Sequence, residues 1–277
     1  MQRGFFLRVY DRFVALKDRI YDRIRLGSLK RKVRLLGTWL GNHELQLRKV
    51  PHGSSMLVLA PHQDDESIGC GGTIKLATAQ GGRVDVTYTA DGRRGFAGMH
   101  SPTEEECAAL VETRKREARE ACAVLGVSEV TFLGGEDSML HMHTHLWRNV
   151  LTQLESRHYG FLLTPWPVDQ HRDHQSTWKI AALALEHYAN PIEVWFYEVW
   201  TPLLPNIAVD ITSTADAKRE AVQKFESQLK AFDYVETSLG LARYRSALVA
   251  GARYAEVFLG GDKEFAMSLW KTKRAFF

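Results

Sequence analysis

A three-layer α/β sandwich on a mostly parallel sheet is the fold this sequence predicts, and three observations predict it. Short apolar runs rich in β-branched and aliphatic residues recur near 56–61, 84–90, 130–134, 161–166 and 193–199, with helix-compatible stretches between them. Strand and helix signals that alternate in this way mean parallel strands joined by right-handed crossovers. The clearest of the runs, Met56 to Ala60, is apolar throughout, as expected of a strand buried on both faces. A chain of 277 residues with 45% hydrophobic and 25% charged content can also bury one large core.

The first fifty residues stand apart. They hold thirteen Lys and Arg against four acids, a balance of +9, so with a total of +3 the remainder carries −6. Phe6, Val9, Phe13, Leu16, Ile20 and Ile24 recur at three and four, which draws one apolar stripe along a basic helix. We expect residues 1–53 to form a basic amphipathic helical extension and residues 54–277 a single α/β domain. The stripe suits packing on that domain or on a second copy of the chain in a homo-oligomer. It also suits peripheral contact with an anionic membrane, where each basic residue adds ~1 kcal/mol. No apolar run reaches the ~18 residues needed to span a bilayer, and there is no short apolar core of a signal peptide. Nucleic acid is disfavoured, because basic and aromatic residues are not arranged as a base-stacking platform. Cys70, Cys107 and Cys122 lack pairwise metal spacing, and their odd number argues for reduced thiols and a cytoplasmic protein.

The strand at 56–60 runs into His62, Asp64, Asp65 and Glu66 and then a glycine-rich turn, Gly69 to Thr73. Helix is expected from Ile68 to Ala79, so the cluster sits on the turn at the strand's carboxyl end, where open α/β sheets bind ligands. One imidazole and three carboxylates within five residues repel unless a cation holds them; a divalent metal, zinc first, is the natural occupant. Acidic residues also favour the first turn of any helix, which accounts for Asp65 and Glu66 but not for the histidine. A dinucleotide fingerprint is a poor reading of the glycines, because Ile74 stands where the third glycine belongs.

A second cluster strengthens the metal reading. The apolar run at 161–164 leads through a proline-marked loop to His171, Asp173 and His174, with helix expected onward to His187. Two strand-end turns of one sheet can converge, so His62, Asp65 and His174 can form a three-ligand set. Three protein ligands with one open position mark catalytic rather than structural zinc. Fe²⁺ or Co²⁺ would suit the same donors, since affinity alone does not choose the metal.

These two motifs resemble the PIG-L/LmbE family of zinc-dependent N-acetylglucosaminyl deacetylases, whose pattern is a strand-end His-Pro-Asp-Asp-Glu, a glycine-rich turn, and a later His-x-Asp-His. The resemblance covers residues 54–260. It includes Thr89 to Gly95, the helix with Arg114 and Glu117, the stretch 132–137 ending in Asp137, and Tyr254 to Phe258. Gln63 departs from the family's proline, removing a rigid φ and restoring an N–H. The resemblance implies a Rossmann-like catalytic domain that removes the acetyl group from an N-acetylglucosamine-type sugar, using metal and an activated water. It implies that Asp64 is the general base, and that His171 faces the oxyanion or protonates the leaving amine. Asp173 would then hydrogen-bond His171, unless it is a plain helix N-cap. On the substrate side it implies Arg114 as a donor and Asp137 as an acceptor for sugar hydroxyls. Asp91 and Arg93 reach the same edge, though a turn and a solvated charge also explain them. Glu117, one helical turn from Arg114, most simply pairs with it. An amidase acting on a non-acetyl amide, or a sugar-binding relative without turnover, are the alternatives.

The remaining elements are less regular. His141, His143 and His145 alternate; a second metal site is conceivable, but a loop folded over the pocket fits Met142 and Leu146 better. Residues 201–206 read as a proline-marked loop, 214–230 and 237–251 as helices, and 254–258 as a closing strand.

Overall fold

The computed structural model describes residues 44–96 and 102–274. The amphipathic stripe expected between Phe6 and Ile24 lies outside the described residues. Residues 44–267 form one compact unit, which contains the whole sheet and the site.

Eight strands make a single sheet: β1 (Gln46–Leu47), β2 (Ser55–Ala60), β3 (Arg83–Ala90), β4 (Glu129–Gly135), β5 (Phe161–Pro165), β6 (Glu193–Tyr197), β7 (Ile207–Asp210) and β8 (Ala255–Asp262). Their order is β1-β7-β8-β6-β5-β2-β3-β4; β8 is antiparallel to β6 and β7, and every other pair is parallel. The helices are α1 (Asp65–Ala79), α2 (Glu104–Leu125), α3 (Trp147–Arg157), α4 (Arg172–His187), α5 (Ala215–Gln223), α6 (Glu226–Leu229), α7 (Tyr234–Arg245) and α8 (Lys263–Arg274). Helices cover both faces of the sheet, and Met56, Leu57, Val58, Leu59 and Ala60 are all fully buried, as their unbroken apolar run requires. Among the described residues no helix is long and apolar enough to cross a membrane.

Three departures from the sequence reading have local causes. The sheet begins upstream of residue 54, because β1 pairs with β7 through Gln46–Ile207 and Leu47–Ala208; strands of two and four residues carry little pattern to detect. The helix expected over 214–230 breaks at Phe225 (φ −84°, ψ 55°), whose side chain enters the core. The last helix before β8 begins at Tyr234, because the Asp233 carboxylate accepts from Glu236 N at 2.9 Å and caps it there. α2 begins at a reciprocal capping box formed by Thr103 and Glu106, and Gly126 closes the helix at φ 79°.

The glycine-rich run after the first motif has a specific use. α1 is kinked at Cys70 (φ −146°, ψ 20°), so its second half needs a new N-terminus. Glu256 of β8 supplies the cap, accepting from Gly72 N at 2.9 Å and Thr73 N at 2.8 Å. A Cβ on Gly69 would stand 2.4 Å from the Tyr197 ring, and one on Gly72 2.7 Å from Ile211. Buried Lys218 joins the arrangement, donating to Glu256 Oε1 at 2.6 Å and Ile68 O at 2.7 Å. Removing one partner of a buried ion pair costs about 3–5 kcal/mol. We therefore expect Glu256→Gln to lose stability of that order in urea unfolding, and the double variant with Lys218→Met to recover most of it.

Candidate metal centre and active site

β2 and β5 are neighbours at the middle of the sheet, and the strands that follow them lie on opposite sides: β3 and β4 beyond β2, β6 beyond β5. Such a switch point opens a crevice at the carboxyl edge. Both motifs stand there, residues 62–65 after β2 and residues 169–174 after β5.

One oxygen organises the centre. Asp65 Oδ2 lies 3.2 Å from His62 Nδ1 and 3.3 Å from His174 Nε2, and it also accepts from His62 N at 2.9 Å. Each imidazole has a second carboxylate behind it. His62 Nε2 is 3.2 Å from Asp173 Oδ2 and 3.5 Å from Asp137 Oδ1, while His174 Nδ1 is 3.6 Å from Asp169 Oδ1. A carboxylate behind a ring holds the proton on that side and leaves the opposite nitrogen free for a cation. Atoms bound 2.0–2.1 Å from a tetrahedral zinc stand about 3.3 Å apart, close to the spacing on either side of Asp65. Both ring nitrogens of His174 are fully buried and make no hydrogen bond of acceptable geometry, Asp169 lying 3.6 Å from Nδ1, and a cation at Nε2 would satisfy one of them. The donors gathered around His62 are of the nitrogen and oxygen types that suit a divalent metal. Among the described residues, the groupings whose ligand atoms all lie within 4.8 Å of one another are His62 with His171 and His174, and His62 with Asp137 and Asp173; the set of His62, Asp65 and His174 is not one of them. All share His62.

Asp64 sits beside this set in a strained turn. Its φ of 145° with ψ −30° is an uncommon conformation for a residue other than glycine, of a kind that costs about 1–3 kcal/mol. The turn is held from several sides: Ile68 N donates to Asp64 O at 2.9 Å, and Arg114 Nη2 donates to Gln63 O at 2.8 Å. Arg114 Nη2 also lies 3.4 Å from Asp64 Oδ2. Burial pushes the Asp64 carboxyl up to about 7; Arg114 pulls against this, and the charge of Asp65 adds to it. Gln63, in the place of a proline, donates from Nε2 to Ala90 O at 3.1 Å and ties the turn to the end of β3. Glu66 is fully buried and braces the same turn, taking Ser67 Oγ at 2.6 Å and Asp64 N at 3.3 Å.

His171 is the N-cap of α4. Its Nδ1 accepts from Asp173 N at 3.2 Å, so the proton of the neutral ring resides on Nε2. Burial lowers its pKa, and charge on His62 and His174 lowers it further. The ring is therefore a neutral donor near pH 7, edge-on to His62 at a centroid distance of 4.9 Å. The expected Asp173–His171 bond is not the one formed. The contact runs from the Asp173 backbone, and the Asp173 carboxylate instead holds His62 and accepts from Ser138 N at 2.7 Å. The physical reason is the cap itself: His171 Nδ1 is already taken by the helix's second N–H.

Several expected substrate contacts are occupied by the protein. Arg114 is buried, and besides Gln63 it donates to Gly92 O at 3.2 Å. Glu117 does not pair with it; it accepts from Ser227 N and Oγ at 2.9 and 2.6 Å, because the break before α6 delivers Ser227 to that face. Asp137 takes Arg94 N at 3.0 Å and Ser138 Oγ at 3.1 Å beside His62. Asp91 binds Arg93 Nε at 2.7 Å and accepts from Asp137 N at 3.2 Å, which links the turns after β3 and β4. His141 and His145 fall on two short 3₁₀ turns, Leu140–Met142 and Thr144–Leu146, and His143 lies between them. Leu140 and Leu146 are buried while Met142 is exposed. Sequence reasoning missed Asp169. It backs His174 and accepts from His171 N at 2.9 Å, and from Trp200 N and Thr201 N at 3.1 and 3.2 Å. Its position two residues before His171 was the available signal.

In the metal-free centre burial alone would lower both histidines. Asp137, Asp173 and Asp65 nevertheless hold His62 well above its ordinary value, and Asp65 and Asp169 hold His174 at about 9. A cation must displace those protons. We expect metal uptake to release protons and to weaken as pH falls from 9 towards 6. Titration calorimetry in buffers of different ionisation heat reads this directly, and uptake independent of pH would contradict the ligand set.

A family model described as GlcNAc-PI de-N-acetylase matches residues 57–185. A diacetylchitobiose deacetylase of Thermococcus kodakarensis is 27% identical over 221 residues, 73% of this chain and 80% of the relative. Among solved structures, the N,N′-diacetylchitobiose deacetylase of Pyrococcus horikoshii superposes with a TM-score of 0.66 at 23% identity, covering 76% of this chain and 85% of that one. A 4-carboxy-2-hydroxymuconate hydratase of Pseudomonas putida superposes at 0.58 with 25% identity, over 75% and 95% of the two chains. The fold therefore hosts more than one reaction, and the side chains of the site must carry the choice. By its two strand-end motifs, its sheet and these likenesses, the chain is similar to the PIG-L/LmbE family, whose model matches residues 57–185.

Proposed function

We propose that this chain is a metal-dependent hydrolase that removes the acetyl group from the nitrogen of an N-acetylglucosamine-type sugar in a glycoside or glycoconjugate. The observation that carries the reading is the single Asp65 oxygen set between His62 Nδ1 and His174 Nε2, with Asp64 alongside. His62, Asp65 and His174 are the proposed ligands, and zinc the proposed ion for mixed nitrogen and oxygen donors. When bound, such an ion lowers the pKa of water towards ~7 and polarises the acyl oxygen. Asp64 takes the proton of the attacking water and returns it to the departing nitrogen; its raised pKa suits a group that must hold and release a proton near neutrality. Nε2–H of His171 donates to the developing oxyanion without a charge of its own. Asp173 and Asp169 orient the two ligand rings, and Arg114 orients Asp64.

The test pairs metal analysis of the purified chain with acetate release from a panel of N-acetylglucosaminides, before and after chelation. Stoichiometric metal and chelator-sensitive acetate are expected. Bound metal without acetate from any sugar would remove the deacetylase reading, and absence of metal would remove the ligand set as well.

A further inference from the structure

We propose that Trp200, Phe232 and Tyr234 form a stacking subsite for the ring adjoining the acetylated sugar, a second pyranose; this rests on the amino-sugar reading above. Tyr234 is the hub, with its ring centroid 5.9 Å from Trp200 and 5.3 Å from Phe232, at interplanar angles of 73° and 69°. Trp200 remains 41% exposed and Phe232 50%, although both are large and apolar. Aromatics clustered and left open beside a polar centre mark a binding surface. The cluster is anchored to the centre at both ends. Trp200 N donates to Asp169, the carboxylate behind His174. Tyr234 begins α7, and the preceding α6 is tied through Gln228 Nε2 to Gly95 O at 3.0 Å and through Ser227 to Glu117.

The chemistry of the patch selects its ligand. Trp200 and Phe232 keep much of their ring surface exposed, and a pyranose offers an apolar C–H face to such a surface while its hydroxyls stay solvated. Tyr234 adds a polar handle that an alkyl chain cannot use. An acyclic polar aglycone would leave the rings uncovered.

The experiment compares kcat/KM of the metal-loaded full chain on N,N′-diacetylchitobiose, methyl N-acetylglucosaminide and octyl N-acetylglucosaminide. The disaccharide is expected to exceed the methyl glycoside by about tenfold, with the gain in KM. Trp200→Ala and Phe232→Ala should each erase most of that ratio, and Trp200→Phe should restore much of it. A ratio near one in the unaltered chain, a ratio unmoved by the substitutions, or an octyl glycoside preferred over the disaccharide would overturn the subsite. If metal is bound but no acetate appears, tryptophan emission on adding the disaccharide decides the matter. A change lost in Trp200→Phe would keep the subsite and reject the hydrolase reading. No change would reject both.

Discussion

Asp64→Asn will leave the metal bound and lower kcat by about 10²–10⁴. Asparagine preserves the shape of the strained turn at φ 145° but cannot accept a proton from water. The carboxylate is not among the proposed ligands, which are satisfied by His62, Asp65 and His174, so metal content should not change. In the unaltered chain the same group sets the acid limb of the pH profile. A base works only when ionised, so activity falls as pH drops through its pKa, about 7 before metal is bound and lower beside a cation. Arg114→Met removes the guanidinium that opposes protonation, 3.4 Å from Asp64, and should move that limb to higher pH. Full activity in Asp64→Asn, or an acid limb untouched by Arg114→Met, would remove Asp64 from the role of base.

Metal removal will abolish turnover and turn the protein into one whose stability declines as pH rises. Asp64 and Glu66 are carried from ordinary values of 3.8 and 4.5 to about 7 by burial first of all. His174 is carried from 6.5 to about 9, Asp65 and Asp169 outweighing its burial. For each group the native state holds protons that the unfolded chain has released, across roughly pH 4–7 for the acids and 6.5–9 for the histidine. Where the native state binds more protons, stability falls with rising pH. Asp65, Asp137 and Asp169 act in the opposite sense, but their lowered values confine that contribution to acid pH, and lowered His171 opposes the trend only below its ordinary 6.5. A cation at a thousandfold excess over its Kd restores about 4 kcal/mol, roughly 8–16 °C in Tm for a chain of this size. Calorimetry of chelated and reloaded protein across this range measures both effects. His174→Ala should lose the metal-dependent increment entirely. A metal-free chain more stable at pH 8 than at pH 5 would contradict the buried centre.

The sequence by itself determined the central strands and singled out the candidate residues for the chemistry. β2, β5 and β6 are visible as apolar runs because burial on both faces leaves little room for polar alternation, whereas β3 alternates Val84, Val86 and Tyr88 with polar residues and β4, at the sheet edge, is mostly half-buried. His62, Asp64, Asp65, His171 and His174 are visible because ionisable side chains crowd two strand-end turns where a helix start alone would not need histidine. The tertiary structure alone decided which groups face one another. Asp173 and His171 are two residues apart in sequence, but a helix cap directs the carboxylate to His62, 111 residues away. Arg114 carries the charge of a substrate donor, yet the turns after β2 and β3 supply carbonyls that bury it as a brace for Asp64. Asp169 is an unremarkable loop residue until β5 and β6 bring it against His174 and Trp200. Strand and helix signals are local, set by neighbours within a few residues. Side-chain partnership is fixed by where crossovers return the chain, and that depends on packing across the whole sheet.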